Sequence, residues 1–213
     1  MKTLRITNEM LALCQSDDDV WLIGNEVLYT MCRQYPKHEI VAEIVAKVWL
    51  IGRSYAAAIE RGRGSDLGTE RTNDAFYEKD VGPALARSSL DAKLASLSPG
   101  MRLTRDTGDV VVATHGYLVS EFRKITGKAN RSLASKYLHF HRPELFLIYD
   151  SRAAEAIRRV DMARPKRAIP PNGDVEYAKF VNALLALREQ IQSDFVVVLN
   201  PRQLDRLLLA IAP

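Results

Sequence analysis

The hydrophobic positions of the chain recur mostly at steps of three and four residues, which is the spacing of one face of an α-helix. The longest such pattern covers residues 37–61, and its apolar positions are Ile40, Ile44, Val48, Ile51, Tyr55 and Ile59. Pro36 precedes this segment and Gly62 follows it, which is typical of helix boundaries. We therefore predict one long helix over 37–61, followed by a glycine-rich loop over 62–73.

Residues 109–126, "DVVVATHGYLVSEFRKIT", carry two signals. The β-branched run at the start favours a strand. The later apolar residues continue at helical spacing, and Gly127 follows as a typical helix terminator. We therefore predict a helix here.

Proline and glycine mark further boundaries. Gly82-Pro83 is expected to break or kink one helix, and Pro99-Gly100 to end another. Pro201 is expected to start the last helix, and residues 174–193 form an amphipathic pattern before it.

The segment "SKYLHFHRPELFLIYDS", residues 135–151, contains two further helix signals. A short apolar helix is predicted from Ser132 to His139, stopped by Pro143. Asp150 is predicted to be the N-cap of the next helix, "SRAAEAIRRVDMA". The pattern as a whole predicts an all-α protein of about eight helices in one domain, residues 1–213, either undivided or in two lobes with a cleft lined by 123–160.

Composition narrows the class of protein. The chain has 213 residues, 47% of them hydrophobic, and no apolar run long enough for a membrane span. The N-terminus lacks the pattern of a signal peptide, so we expect a cytoplasmic protein with no membrane partner. Cys14 and Cys32 are the only cysteines, and they are not spaced as metal ligands usually are. We therefore expect two buried thiols and neither a disulfide nor a zinc site.

The positive charge of the chain is local. Residues 121–167 contain twelve Lys and Arg against five Asp and Glu, whereas the rest of the chain carries a small negative excess. Lys124, Lys128 and Arg131 precede the short helix, and Arg152 follows Asp150. Such a surface neutralises nucleic-acid phosphates. The alternative is an ordinary solvated basic face.

Lys136 and Asp150 are charged residues inside an apolar segment, where unpaired charge is costly. Lys136 shares a helix face with Ser132, and Asp150 is expected to return to that face through the Pro-containing turn. A desolvated amine becomes a nucleophile, and a carboxylate at a helix N-terminus stays ionised. The pair therefore has the composition of a reactive site.

The segment "SLASKYLHFHRPELFLIYDS" resembles the later half of the helix-hairpin-helix DNA glycosylase signature, particularly in bacterial 8-oxoguanine DNA glycosylase-like proteins. The resemblance implies that Lys136 attacks the sugar C1′ of a damaged nucleotide and that Asp150 assists. It implies a mostly helical fold, DNA as partner and no cofactor. The family's hairpin carries Gly-x-Gly before the Lys to hold a DNA phosphate, whereas this chain has Gly127 alone.

The remaining side chains of the segment have two interpretations. His139, Phe140 and Tyr149 could form a pocket for a flipped base, or they could be core residues. His139 and His141 form an HxH pair whose side chains diverge on a helix, which favours structural histidines over a metal site. Residues 60–71 could form a second phosphate loop but lack the nucleotide-cradle residues, so a plain loop is favoured.

Two functions follow from these observations. In the first, the protein is a base-excision DNA glycosylase, with lyase activity through Lys136. In the second, Lys136 and Asp150 form a structural salt bridge in a non-catalytic helical module that binds nucleic acid or another protein, for example in stress or phage defence.

Overall fold

The computed structural model describes residues 3–16, 20–62, 73–164 and 168–212. Within these residues the fold is all-helical, with no β-strand beyond a single bridge between Leu4 and Val160. This confirms the predicted fold class. The α-helices are α1 (Asn8–Gln15), α2 (Leu22–Gln34), α3 (Val41–Ser54), α4 (Asn73–Phe76), α5 (Gly82–Ala86), α6 (Leu90–Ala95), α7 (Gly108–Thr126), α8 (Arg131–His141), α9 (Ser151–Arg159), α10 (Val175–Phe195) and α11 (Pro201–Ile211).

The helix predicted over 37–61 was too long at both ends. At its start, the His38 amide donates to the Asp91 carboxylate at 2.8 Å, which holds the residues before α3 out of the helix. At its end, Ala56 takes a left-handed φ of 52° and the chain turns. A 3₁₀ turn over Ile59–Gly62 follows, with the Ile59 side chain fully buried. The apolar spacing therefore continues past the end of the helix.

The helical backbone continues through Gly82-Pro83, but as a π turn and a short α-helix and not as one regular helix. A π turn over Tyr77–Val81 joins α4 to α5, and the Gly82 amide donates to the Tyr77 carbonyl five residues earlier. Pro83 lies in the first turn of α5, where its missing N–H is tolerated. Most of the loop predicted over 62–73 lies outside the described residues, as do residues 165–167.

The helix predicted over 109–126 is confirmed as α7, which ends at Gly127 with a left-handed φ of 74°. Pro201 begins α11, as predicted, and α6 ends at Ala95, before Pro99. None of the helices in the described part of the chain is long and apolar enough to cross a membrane.

Helix α8 lies at the centre of the fold. It packs against α2, α3 and α7, and eight consecutive residues, from Leu133 to Phe140, are buried. A helix buried on every side must also bury whatever polar residues it carries. Lys136 is one of them, so the fold places an amine inside a largely apolar core.

Candidate active site

The Lys136 side chain is 4% exposed and reaches three acceptors. Its Nζ lies 2.9 Å from Ser132 Oγ, one turn earlier on α8. It also lies 3.2 Å from the Tyr55 carbonyl oxygen and 3.3 Å from Asp150 Oδ2. These contacts satisfy the buried amine, as burial of a polar group requires.

Asp150 caps α9, as the sequence predicts. Its Oδ1 accepts a hydrogen bond from the Ala153 amide at 2.9 Å, while its Oδ2 faces Lys136. The side chain is 29% exposed. The unpaired amides of the first helical turn favour a negative charge at this position. One carboxylate therefore orders the helix and contacts the amine.

Two hydroxyl groups hold the extended segment that precedes Asp150. Ser135 Oγ, on α8, lies 2.9 Å from the Tyr149 amide and accepts its hydrogen bond. The Tyr177 hydroxyl, on α10, accepts from the Leu147 amide at 3.1 Å and donates to the Leu147 carbonyl at 3.0 Å. These bonds fix the distance between α8 and the start of α9, and so the distance between the amine and the carboxylate.

A cavity of about 580 Å³ opens beside the pair. This volume falls within the range of about 300–1,000 Å³ that is typical of small-molecule sites. The residues that line it are Tyr55, Ala56, Ala57, Ala58, Arg61, Ala129, Asn130, Arg131, Ser132, Leu133, Lys136, Tyr149, Asp150, Ser151 and Arg152. The lining contains four cationic side chains and one carboxylate, so the cavity favours an anionic ligand.

The four basic residues predicted to bind DNA divide into two groups. Arg131 and Arg152 line the cavity, whereas Lys124 and Lys128 do not. Lys124 is paired with Glu121 at 2.7 Å on the surface of α7. Arg131 Nε lies 2.7 Å from both carboxylate oxygens of Asp174, so much of its charge is already neutralised.

Arg61 is a cavity residue that sequence reasoning missed. It lies in the 3₁₀ turn after α3 and is exposed. The sequence assigned it to the end of a long helix, next to a glycine-rich loop. Only the turn at Ala56 brings it to the cavity, and an alanine in the left-handed conformation has no sequence signal.

In the single-glycine turn before α8, several backbone amides donate hydrogen bonds to acceptors within the turn or in the preceding helix. The Gly127 amide donates to the Arg123 carbonyl at 2.8 Å, and the Lys128 amide donates to Thr126 Oγ1 at 3.2 Å. The Arg131 amide donates to the Ala129 carbonyl at 2.9 Å. Fewer backbone amides are therefore directed outward here than a Gly-x-Gly phosphate loop would offer.

The base pocket predicted from three rings needs correction. Tyr149 lines the cavity, but His139 and Phe140 are buried in the core and are absent from its lining. His139 Nδ1 donates to the Phe146 carbonyl at 2.7 Å, and its Nε2 lies 2.7 Å from the Tyr29 hydroxyl. Burial lowers the pKa of His139 to about 4. His139 is therefore a neutral core residue, and both of its ring nitrogens are hydrogen-bonded.

The HxH pair is not assembled into a metal centre. The His141 Nδ1 donates to the Tyr137 carbonyl at 2.8 Å, on its own helix. In the part of the chain that the structure describes, no three His, Cys, Asp or Glu side chains are grouped as metal ligands.

Comparison with known proteins adds no relative: no family model, no curated protein and no solved structure matches the chain.

Proposed function

We propose that the protein is a base-excision DNA glycosylase with an associated lyase activity, acting through Lys136. The observation that carries the proposal is a buried amine, 3.3 Å from a helix-capping carboxylate, on the wall of a cavity of about 580 Å³. A pair that served only to join two helices would need no cavity beside it. The resemblance of residues 132–151 to the glycosylase signature supports the same assignment.

The proposed reaction uses both members of the pair. The Lys136 ammonium first gives a proton to Asp150. The free amine then forms a bond from Nζ to C1′ of the nucleotide as the C1′–N glycosidic bond breaks, and the base leaves with the bonding electrons and takes the proton from Asp150, which becomes a carboxylate again. The negative charge of Asp150 stabilises the positive charge that develops on the sugar. Loss of the amine proton and opening of the sugar ring then give a Schiff base between Lys136 and C1′.

The charges around the cavity suit a nucleic-acid strand. Arg61 lies on the wall formed by the turn after α3, and Arg152 lies in the first turn of α9. These guanidinium groups lie on two different elements that meet at Lys136. Phosphates of a bound strand could therefore be neutralised at separate points around the reacting sugar.

Tyr149 is the ring best placed to contact the displaced base. It is half-buried, lines the cavity and precedes Asp150 directly. Its ring packs edge-on against Phe180 with ring centroids 5.2 Å apart. A ring held in this way offers a fixed surface on which a base flipped out of the DNA duplex can stack.

Borohydride trapping tests the proposal. The protein is incubated with duplex oligonucleotides that carry 8-oxoguanine, an abasic site or no lesion, and sodium borohydride is added to reduce any Schiff base. We expect a covalent protein–DNA adduct with a lesion-bearing oligonucleotide and none with the undamaged control. Absence of an adduct on every lesion tried rejects the lyase mechanism.

One observation favours the second candidate function, a non-catalytic module. Three acceptors already surround the Lys136 amine, as they would in a structural salt bridge. Under this alternative the cavity binds nucleic acid without chemistry. The Lys136→Ala variant then binds an oligonucleotide slightly more weakly than the wild type, and neither protein is trapped by borohydride.

A further inference from the structure

We infer that Tyr55 is a positioning residue for the Lys136 amine, an inference that rests on the proposed function. Tyr55 touches this amine twice. Its carbonyl oxygen accepts from Nζ at 3.2 Å, and Nζ lies 5.6 Å from the centre of its ring. A cation within about 6 Å of an aromatic face is attracted to it. In the sequence, Tyr55 is only one of the apolar positions of the predicted long helix.

The backbone around Tyr55 explains why its carbonyl points at the amine. Tyr55 is the C-cap of α3, and the Ala56 that follows has a φ of 52°. The Ala57 amide reaches back to the Gly52 carbonyl at 2.7 Å, and the Ala56 amide to the Arg53 carbonyl at 3.3 Å. This pair of bonds is a Schellman motif, with alanine where glycine is usual. The turn directs the Tyr55 carbonyl away from the helix axis and towards α8.

The far end of the Tyr55 ring is held by two other helices. Its hydroxyl donates to Asn25 Oδ1 on α2 at 2.6 Å and accepts from Arg202 on α11 at 3.2 Å. The ring packs edge-on against Phe140, with centroids 5.3 Å apart. Both the carbonyl and the ring face are therefore fixed before any ligand arrives.

Tyr55 and Asp150 both line the cavity, and both contact the amine. The amine is therefore held by a carboxylate from α9 and by a carbonyl and a ring face from the end of α3. Loss of the ring leaves the backbone carbonyl contact in place but removes the ring face, so we expect the lysine side chain to shift into the freed space and Nζ to move relative to Asp150. A displacement of about 1 Å at a reacting atom costs up to about 10²-fold in rate.

The test compares three variants. Tyr55→Leu removes the ring, and Tyr55→Phe removes only the hydroxyl. Tyr29→Leu is the matched control, because the Tyr29 ring also packs against Phe140, with centroids 4.7 Å apart, and its hydroxyl also makes a hydrogen bond, to His139. Tyr29 does not line the cavity.

Three quantities are measured for each variant. They are the free energy of unfolding, the single-turnover rate at which the borohydride-trapped adduct forms with saturating abasic-site oligonucleotide, and the oligonucleotide concentration that gives half of this rate.

We expect Tyr55→Leu to lower the single-turnover rate by about tenfold or more, while the half-saturating concentration changes by less than about twofold. Tyr55→Phe and Tyr29→Leu are expected to stay within about threefold of the wild-type rate. Equal losses of rate in Tyr55→Leu and Tyr29→Leu, or no loss in Tyr55→Leu, overturn the inference, because a general structural role produces those results.

A second measurement separates this inference from the proposed function. The free protein is labelled with an amine-selective acylating reagent, and the extent of labelling at Lys136 is followed by peptide mass spectrometry. We expect labelling of Lys136 in Tyr55→Leu to be about threefold faster than in Tyr29→Leu, because the amine is released into the cavity. If the wild type yields no adduct, the proposed function fails, but the labelling experiment still tests whether Tyr55 positions the amine. Equal labelling of Lys136 in Tyr55→Leu and Tyr29→Leu then overturns the inference.

Discussion

The Asp150 carboxylate and the Lys136 amine meet between α9 and α8, with Oδ2 3.3 Å from Nζ, while the other carboxylate oxygen caps α9 through the Ala153 amide. The same side chain therefore has a structural and an electrostatic contact. Substitutions that keep one contact and remove the other separate the two roles.

Asp150→Asn keeps an N-cap oxygen but removes the charge, whereas Asp150→Ala removes both. Asn caps a helix about as well as Asp, so the cap alone predicts little loss of stability with Asn and a loss of about 1 kcal/mol with Ala. Both variants also leave the buried Lys136 amine without its carboxylate, which adds a cost of up to about 3–5 kcal/mol to each. Both variants are expected to lower the single-turnover adduct rate by about 10²-fold, because the negative charge is gone. Urea unfolding and trapping rates check this. An Asn variant with the wild-type rate would show that the charge plays no part.

The stability of Lys136→Ala distinguishes a reactive amine from a structural salt bridge. Asp150 retains its cap and remains partly exposed in this variant, so no buried charge is stranded. We expect the unfolding free energy to fall by less than about 3 kcal/mol, below the cost of about 3–5 kcal/mol for breaking a fully buried pair. Lys47→Ala is the control.

Lys47 is a buried lysine with a purely structural setting. Its Nζ donates to the carbonyl oxygens of Tyr35 and Lys37 at 2.6 and 2.7 Å, and it lies outside the lining of the cavity beside Lys136. Its removal leaves two backbone carbonyls without that donor, so we expect Lys47→Ala to be the less stable variant. A larger loss for Lys136→Ala, measured by thermal or urea unfolding, favours the salt-bridge alternative.

Arg61 and Arg152 are expected to neutralise phosphates of the bound strand. Arg61→Gln and Arg152→Gln should each weaken oligonucleotide binding regardless of sequence and reduce the slope of log K against log salt by about 1. Arg33→Gln is the control, since Arg33 is an exposed residue of α2 paired with Glu26 and lies outside the cavity lining. Fluorescence anisotropy titrations at several salt concentrations measure the slope. Unchanged slopes in both cavity variants would remove these two residues from the interface.

Acid is expected to destabilise the protein through its histidines. Burial lowers the pKa values of His38, His115 and His139 to about 4, and that of His141 well below its usual range. The unfolded chain binds protons on these groups near pH 6.5. Their contribution to stability is therefore complete above that pH and is lost as pH falls towards 4, with a total on the order of several kcal/mol. Urea midpoints that stay constant from about pH 7.5 to about pH 5 would contradict this.

The sequence predicted those parts of the site that depend on local signals. Asp150 as an N-cap follows from the residue type before a run of good helix formers, and the contact with Lys136 follows from two helices joined by a short Pro-containing turn. Helical spacing also identified α7 despite its β-branched start.

The parts that the sequence did not predict depend on tertiary contacts. The helix over 37–61 ends early because Ala56 adopts a conformation that no local residue preference indicates, and that turn carries both Tyr55 and Arg61 to the cavity. His139 was assigned to a base pocket because nothing local shows that Tyr29, 110 residues earlier, and the Phe146 carbonyl occupy both ring nitrogens. Periodicity reports which face is buried but not which partners lie there.

The most direct test of the central claim maps the site of attachment in the borohydride-trapped complex. The protein is incubated with an abasic-site oligonucleotide under borohydride, digested with trypsin and nuclease, and analysed by tandem mass spectrometry. The account predicts a single modified peptide that carries the sugar remnant on Lys136, and its loss in Lys136→Gln. A remnant attached to another residue, or an adduct of undiminished yield in Lys136→Gln, would contradict it.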